Sequence, residues 1–324
     1  MSQLTTIKKP VSNELSEFNK LFAKTMKSKV PLLNIITNYV LKRKGKQIRP
    51  LLVFLAAKSI GEIKNSTYVG ASLIELLHTA SLVHDDVVDG ANERRGFLSI
   101  NALWKSKIAV LLGDYLLAKG LLISLENKEY ELLKIVSNAT QEMSEGELLQ
   151  IQKSRKLNIN EEEYFEIIRK KTATLLAACT ACGAQSVTND PALVNKMYEF
   201  GLKIGIAFQI KDDLFDYEKT SITGKPKGND LQEKKLTLPL ITSLSKTTAS
   251  KRREILKLIN KKSSNRLIYN KIYNFVHENG GLEYTRKLMY SYRDEAIQIL
   301  QTLPPSESLE ALKQLVNFIV ERNN

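Results

Sequence analysis

The stretch GASLIELLHTASLVHDDVVDGANERRG, from Gly70 to Gly96, constrains this chain more than any other. An apolar run at helical spacing ends in three aspartates within five positions, and two arginines follow before a glycine. Asp85 and Asp89 are four residues apart, so on a helix they share one face, one turn from each other, with Asp86 flanking them. Carboxylates this close repel one another unless a cation joins them, and oxygen ligands alone favour a hard ion such as Mg2+. Arg94 and Arg95 supply the opposite charge and suit a phosphate better than a solvent-facing ion pair. The stretch reads as a site for a metal-bound anion.

The device recurs in FQIKDDLFDY, Phe208 to Tyr217, where Asp212, Asp213 and Asp216 form a second cluster after another apolar helical run. Each cluster stands at the C-terminal end of its helix, where carboxylates oppose the helix dipole. One such cluster could be an acidic helix end or a loose cation site. Two of them, both placed where they cost stability, imply an external cation.

With only 15 glycines and 8 prolines in 324 residues, long helices are favoured over many short strands joined by turns. The fold class expected is all-α: one large helical bundle with a central cavity. No composition shift or Pro/Gly/Ser linker separates the two clusters, so residues 1–324 are read as a single domain, with 1–10 a loose lead-in. Ile100 to Leu125 is apolar on several faces and is expected to be a central helix, with Trp104 in the core and Asp114 buried beside a partner. The segment from Glu218 to Glu233 loses periodicity and is expected to be a loop whose lysines fold over phosphates.

The net charge of +13 favours anionic partners, whether nucleic acid, phospholipid headgroups or small phosphorylated substrates. Nucleic acid is set aside: the basic corner KRKGKQIRP, Lys42 to Pro50, has no interleaved aromatics for base stacking, and paired aspartate clusters repel a phosphate backbone. By itself that corner is either solvated surface or an anion site. No signal-peptide core or charge-free apolar run of 18 residues stands out, so a cytoplasmic protein is expected. Cys179 and Cys182 form a lone CxxC among Ala, Thr and Gly, which suits a close helix contact better than a metal or redox site.

Taken in order, GKQIRP (Gly45 to Pro50), LLHTASLVHDDVVD, ERRG, the Lys171–Thr172 pair, FQIKDDLFD and GKPKGNDLQEKKLTLPL resemble the polyprenyl diphosphate synthase family, the trans-type prenyl chain elongation enzymes. The likeness spans roughly residues 30 to 300. It implies a helical bundle of the isoprenoid synthase type, a homodimer, and Mg2+ held by Asp85, Asp86, Asp89, Asp212, Asp213 and Asp216. Isopentenyl diphosphate would be bound by Lys46, Arg49, His78 and Arg95. The allylic diphosphate, of farnesyl or geranyl type, would be bound by Arg94, Lys171, Lys225 and Lys235, with Thr172 and Gln209 lining the reacting end. Arg94 and Lys171 join the aspartates as the catalytic set. Lys234 departs from the family pattern, standing where Gly is common beside Lys235. The implied reaction joins isopentenyl diphosphate to the allylic chain and lengthens it by five carbons.

One isoprene unit extends by about one helical turn, roughly 5.4 Å, so residues four, five and eight before Asp85 gauge product length. Here they are Ser81, Ala80 and Leu77, and neither Ser81 nor Ala80 is aromatic. A medium or long all-trans product of about six to eight units, C30 to C40, is expected from that unblocked path, of the kind used as a quinone side chain. A short-chain farnesyl or geranylgeranyl diphosphate synthase is the alternative. An apolar product and a basic surface further suggest weak peripheral contact with an anionic membrane.

Overall fold

The computed structural model describes residues 3–42, 45–94, 96–217, 235–260 and 266–322. Apart from one hairpin of two-residue strands, the regular structure among these residues is helical, as the scarcity of Gly and Pro predicts. The helices are α1 (Gln3–Lys8), α2 (Ser12–Thr25), α3 (Pro31–Lys42), α4 (Ile48–Ile60), α5 (Asn65–Val88), α6 (Ile100–Glu126), α7 (Tyr130–Lys156), α8 (Glu161–Ile168), α9 (Thr174–Gln185) and α10 (Pro191–Phe215). They continue as α11 (Leu238–Ser245), α12 (Ala249–Asn260), α13 (Arg266–Glu278), α14 (Gly281–Gln301) and α15 (Glu307–Glu321). The chain forms two compact units, one of residues 1–140, 178–198 and 303–312, the other of 141–177, 199–302 and 313–324.

In the first unit the helix buried on every side is α4, not α6. Leu51 through Ala57 are all fully buried, because LLVFLAA has no polar face to turn outward. Phe54 packs edge-on to Phe18 and Tyr68, which ties α2 and α5 to it. Across from it, a Cβ on Gly183 would lie 2.4 Å from the Val53 carbonyl oxygen, so α9 approaches at backbone distance. That is the close crossing expected of the small residues around Cys179 and Cys182. Helix α6 instead leaves Leu103, Val110, Leu111, Leu121, Leu122 and Leu125 exposed. Its apolar window has mean hydropathy 1.8 but is only 33% buried, which corrects the expectation of a central helix.

The expected loose lead-in is also ordered. Helix α1 buries Ile7, and the Lys58 Nζ donates to the Pro10 carbonyl and to Glu14 Oε1, both at 2.7 Å. Periodicity was too short there to register, since one buried side chain per turn of a six-residue helix gives no pattern.

In the second unit α8 begins with a reciprocal cap: Asn160 Oδ1 accepts from the Glu163 amide at 2.8 Å, and Glu163 Oε2 from the Asn160 amide at 3.0 Å. The helix then widens into a π-helical turn, Arg169–Ala173, before α9. Two glycines make room for that turn. A Cβ on Gly146 would lie 2.7 Å from the Lys171 nitrogen, and one on Gly205 would lie 2.5 Å from Ala173 Cα. Helix α11 is buried from Leu238 to Leu244 and meets α14 where Gly281 abuts the Pro239 carbonyl.

Candidate active site

The first cluster closes α5. Asp85 lies in the last turn, Asp89 is the C-cap, and the Asp89 amide donates to the Asp85 carbonyl at 2.8 Å. Asp85 and Asp89 are exposed while Asp86 is buried, so the four-residue spacing presents two carboxylates to solvent from one end of the helix. The Asp86 carbonyl accepts from the Ala91 amide at 2.9 Å, and Ser99 Oγ donates to the Ala91 carbonyl at 2.7 Å. This holds the turn that leads into an antiparallel hairpin, β1 (Glu93–Arg94) with β2 (Phe97–Leu98). Gly96, at φ +76°, supplies the left-handed corner. The Arg94 side chain and all of Arg95 lie outside the described residues.

His84, one residue before the cluster, packs on α6. Its Nε2 is 3.2 Å from the Val110 carbonyl and 3.5 Å from Asp114 Oδ1. Gly113 leaves the space for the ring, since a Cβ there would come within 2.1 Å of Nε2. Asp114 was expected to be buried, but its side chain is 60% exposed: it stands on the face of α6 that the unit leaves uncovered.

Other members of the first unit are placed as follows. The corner before α4 is fixed by Gln47, whose Nε2 donates to Asn19 Oδ1 at 2.8 Å and whose φ of 56° turns the chain. Lys46 is exposed and Arg49, in the first turn of α4, is half-buried. His78 is buried within α5. Ala80 is fully buried, Leu77 is buried, and Ser81 is half-buried with its hydroxyl donating to the His78 carbonyl at 2.9 Å.

The second cluster closes α10. Asp213 is buried and both its carboxylate oxygens are in use: Oδ2 accepts from the Tyr164 hydroxyl at 2.8 Å and the Leu238 amide at 3.2 Å, and Oδ1 from Gln209 Nε2 at 3.1 Å. Gln209 in turn accepts at Oε1 from the Thr172 hydroxyl at 3.0 Å. One chain of hydrogen bonds therefore runs from the π-turn through α10 to the start of α11. Asp212 is ion-paired with Arg322, and the Asp216 carbonyl accepts from the Tyr269 hydroxyl at 2.7 Å. Burial beside the Asp216 charge pushes the Tyr269 phenol up to about 12, so it remains a donor.

All three successive basic residues of the π-turn find partners on α7. Arg169 pairs with Glu142 at 3.1 Å and Lys170 with Glu145 at 2.9 Å, while Lys171 donates to Gln150 Oε1 at 3.0 Å and pairs with Glu147. Lys171, Thr172, Gln209, Asp213 and Lys235 line a cavity of about 220 Å³ in the second unit, closed on its apolar side by Ile167 and Ile168. Four of these are residues singled out for the allylic substrate. Tyr164, Gln150 and Arg322 were not foreseen, because their importance lies in tertiary partners and no local pattern marks them. Lys225 and Lys234 lie outside the described residues, as do all of residues 218–234 and with them the expectation for Glu218 to Glu233.

Among the described residues no three of His, Cys, Asp and Glu are gathered into a preformed metal cage. Oxygen-only donors in incomplete sets nonetheless suit a cation that binds one or two carboxylates and takes its remaining ligands from phosphate and water, which is the habit of Mg2+. The donor set fits that ion.

Residues 30–276 match the model of a protein family described as polyprenyl synthetase. The chain is 36% identical over 318 residues to the all-trans-nonaprenyl-diphosphate synthase (geranyl-diphosphate specific) of Rhodobacter capsulatus, covering 97% of this chain and 96% of that one. It is 32% identical over 321 residues to the octaprenyl diphosphate synthase of Escherichia coli (strain K12), with 99% of each covered. The crystal structure of geranylgeranyl pyrophosphate synthase from Bacteroides thetaiotaomicron superposes with a TM-score of 0.84 at 37% identity, covering 99% of this chain and 100% of that one.

Proposed function

The chain belongs to the polyprenyl synthetase family, and we propose that it is a Mg2+-dependent trans-polyprenyl diphosphate synthase that condenses isopentenyl diphosphate with farnesyl or geranyl diphosphate. The product is an all-trans polyprenyl diphosphate of about six to eight isoprene units, at one helical turn per unit along α5. The observation that supports this length is the helix itself: Ala80 and Ser81, one turn before Asp85, place no ring across the path of a growing chain. The relatives with eight and nine prenyl units in their names agree with a long product, and the geranylgeranyl synthase keeps a short-chain product as the competing reading.

In the reaction the allylic C–O bond breaks, the double bond of isopentenyl diphosphate supplies the electron pair for the new C–C bond, and a proton leaves to restore an alkene. When bound, Mg2+ would offset the charge that builds on the departing diphosphate. Asp85 and Asp89, exposed at the end of α5, would hold such an ion, and the family resemblance assigns the same part to Asp212 and Asp216 at the end of α10. Asp213, besides the metal-binding part the family resemblance assigns it, accepts from Tyr164, Gln209 and the Leu238 amide and so holds Gln209, and through it Thr172, where the allylic end lies. Lys171 and Lys235 bind the allylic diphosphate together with Arg94 and Lys225, and Lys46, Arg49, His78 and Arg95 bind isopentenyl diphosphate, as the family resemblance assigns them. Ile167 and Ile168 keep the cavity wall apolar, where water would quench a carbocation.

Residues 1–324 are read as a single catalytic domain, and the working form is a homodimer. Support for the dimer comes from α6: at 100° per residue Val110, Leu111, Leu121, Leu122 and Leu125 fall within about 120° of arc, an apolar stripe wide enough for a second copy. The enzyme is cytoplasmic, with weak membrane contact through α12, where Lys251, Arg252, Arg253 and Lys257 are exposed while Ile255 and Ile259 are buried. Salt-sensitive flotation with acidic liposomes tests that contact. The reaction is tested by diphosphate release on mixing farnesyl diphosphate with isopentenyl diphosphate. Release that needs both substrates and stops on chelation supports the proposal; release from farnesyl diphosphate alone, as a cyclase gives, refutes it.

A further inference from the structure

Arg322, the residue after the last helix, is not explained by the reaction as described. Its guanidinium sits 4.1 Å from the Phe208 ring centroid and 5.5 Å from that of Phe215, and it is ion-paired with Asp212 Oδ1. Phe208 and Phe215 stand four residues before and three after Asp212 on α10, so all three project from one face of that helix. The rings form a clamp that holds a cation against the first aspartate of the cluster. The Arg322 side chain is only 14% exposed, whereas that of Asp212 is 41% exposed, so the arginine is the more deeply enclosed of the two. Its Nε is buried without a hydrogen-bond partner, so the guanidinium is anchored by the rings and the carboxylate.

We infer that Arg322 is the resident counter-ion of Asp212, so that a divalent cation reaching the second cluster must displace or share it, and Arg322 thereby sets the metal affinity of that cluster. This rests on the reading of Asp212 as a metal-binding residue. Physically, a guanidinium on Oδ1 neutralises the carboxylate and keeps α10's acidic end from repelling itself while no metal is bound. A divalent ion would bring more charge to the same oxygen and compete with the guanidinium for it, with water or phosphate supplying its remaining ligands. Arg322 is in this sense a positioning residue, acting on the reaction through Asp212.

The test is a Mn2+ titration of the substrate-free enzyme followed by electron paramagnetic resonance, on the unaltered chain and on Arg322→Gln, Phe208→Leu and Asp212→Asn. Arg322→Gln should tighten Mn2+ binding about tenfold, the factor that 1.4 kcal/mol of relieved competition gives. Phe208→Leu removes the larger part of the clamp and keeps both charges, and should tighten binding by a smaller factor; it decides the matter if Arg322→Gln does not fold. Melting in EDTA should fall for Arg322→Gln and recover toward the unaltered value in saturating Mg2+, because the ion takes the arginine's place; an ion pair with a merely structural role gives the same deficit in both. Unchanged or weaker Mn2+ binding in Arg322→Gln and Phe208→Leu overturns the inference. Mn2+ binding that Asp212→Asn leaves untouched overturns instead the metal-binding reading of Asp212 on which it rests.

Discussion

The Tyr164 hydroxyl donates to Asp213 Oδ2 at 2.8 Å, and that single bond fastens α8 to the acidic end of α10. The same oxygen takes the Leu238 amide at 3.2 Å, so three elements meet on one buried carboxylate. An ionised group can be buried this deeply because each of its oxygens has a donor.

Removing the Tyr164 hydroxyl should therefore cost more than an ordinary hydrogen bond. Tyr164→Phe keeps the ring in place and takes one donor from Asp213 while Gln209 and the Leu238 amide remain, which should lower stability by about 1.5 to 3 kcal/mol. Urea denaturation measures it. A change within about 0.5 kcal/mol, typical of a surface substitution, would show that the bond does not hold the site together.

The aspartates at the helix ends should matter to turnover while leaving the fold intact, with Asp212→Ala also losing some stability because it strands the Arg322 guanidinium. Asp85→Ala and Asp212→Ala should each lower kcat/KM by about 100-fold or more, the scale of losing a main electrostatic contact in a transition state. Circular dichroism should be unchanged. Near-normal turnover of either variant in saturating Mg2+ would remove that residue from the reaction.

Product length should respond to a ring one turn before Asp85. Ser81→Phe and Ala80→Phe should both shorten the product, but they differ in cost. Ala80 is fully buried, so its enlargement overpacks the unit by about 1 to 3 kcal/mol. Ser81 is half-buried and gives the cleaner comparison. Unchanged chain length from a folded Ser81→Phe would dismiss these positions as gauges.

The two thiols should be silent until the protein unfolds. Burial pushes Cys179 from 9.0 up to about 12, and Cys182 well above its usual value for the same reason. Iodoacetamide at about pH 8 should label neither in the native state and both in urea. The linkage has a definite sign: the unfolded thiol ionises first, so stability from Cys179 is complete below pH 9.0 and is lost as pH rises toward 12. Rapid native labelling would contradict the burial.

Long elements and the acidic ends of α5 and α10 were legible in the sequence, because apolar spacing at 3.6 residues and a DDxxD cluster are both local signals. The placement of α6 was not. A helix apolar on several faces reads alike whether the covering surface comes from its own chain or from another, and Asp114 was misjudged for the same reason. Lys171 and Thr172 were found by motif, but their setting was hidden: a π-turn depends on space left by Gly146 and Gly205, which lie 25 residues before and 32 residues after Lys171 and Ala173 respectively. Arg322 was invisible for a similar reason, since its partner Asp212 is 110 positions away.

The most direct test of the account is the length of what the enzyme makes. Purified protein given farnesyl diphosphate, excess isopentenyl diphosphate and Mg2+ should yield, after removal of the phosphates, an all-trans alcohol whose mass lies in the range of about six to eight isoprene units. A product that stops at three or four units, or no product longer than the primer, would contradict the claim that α5 leaves the chain an open path past Ala80 and Ser81.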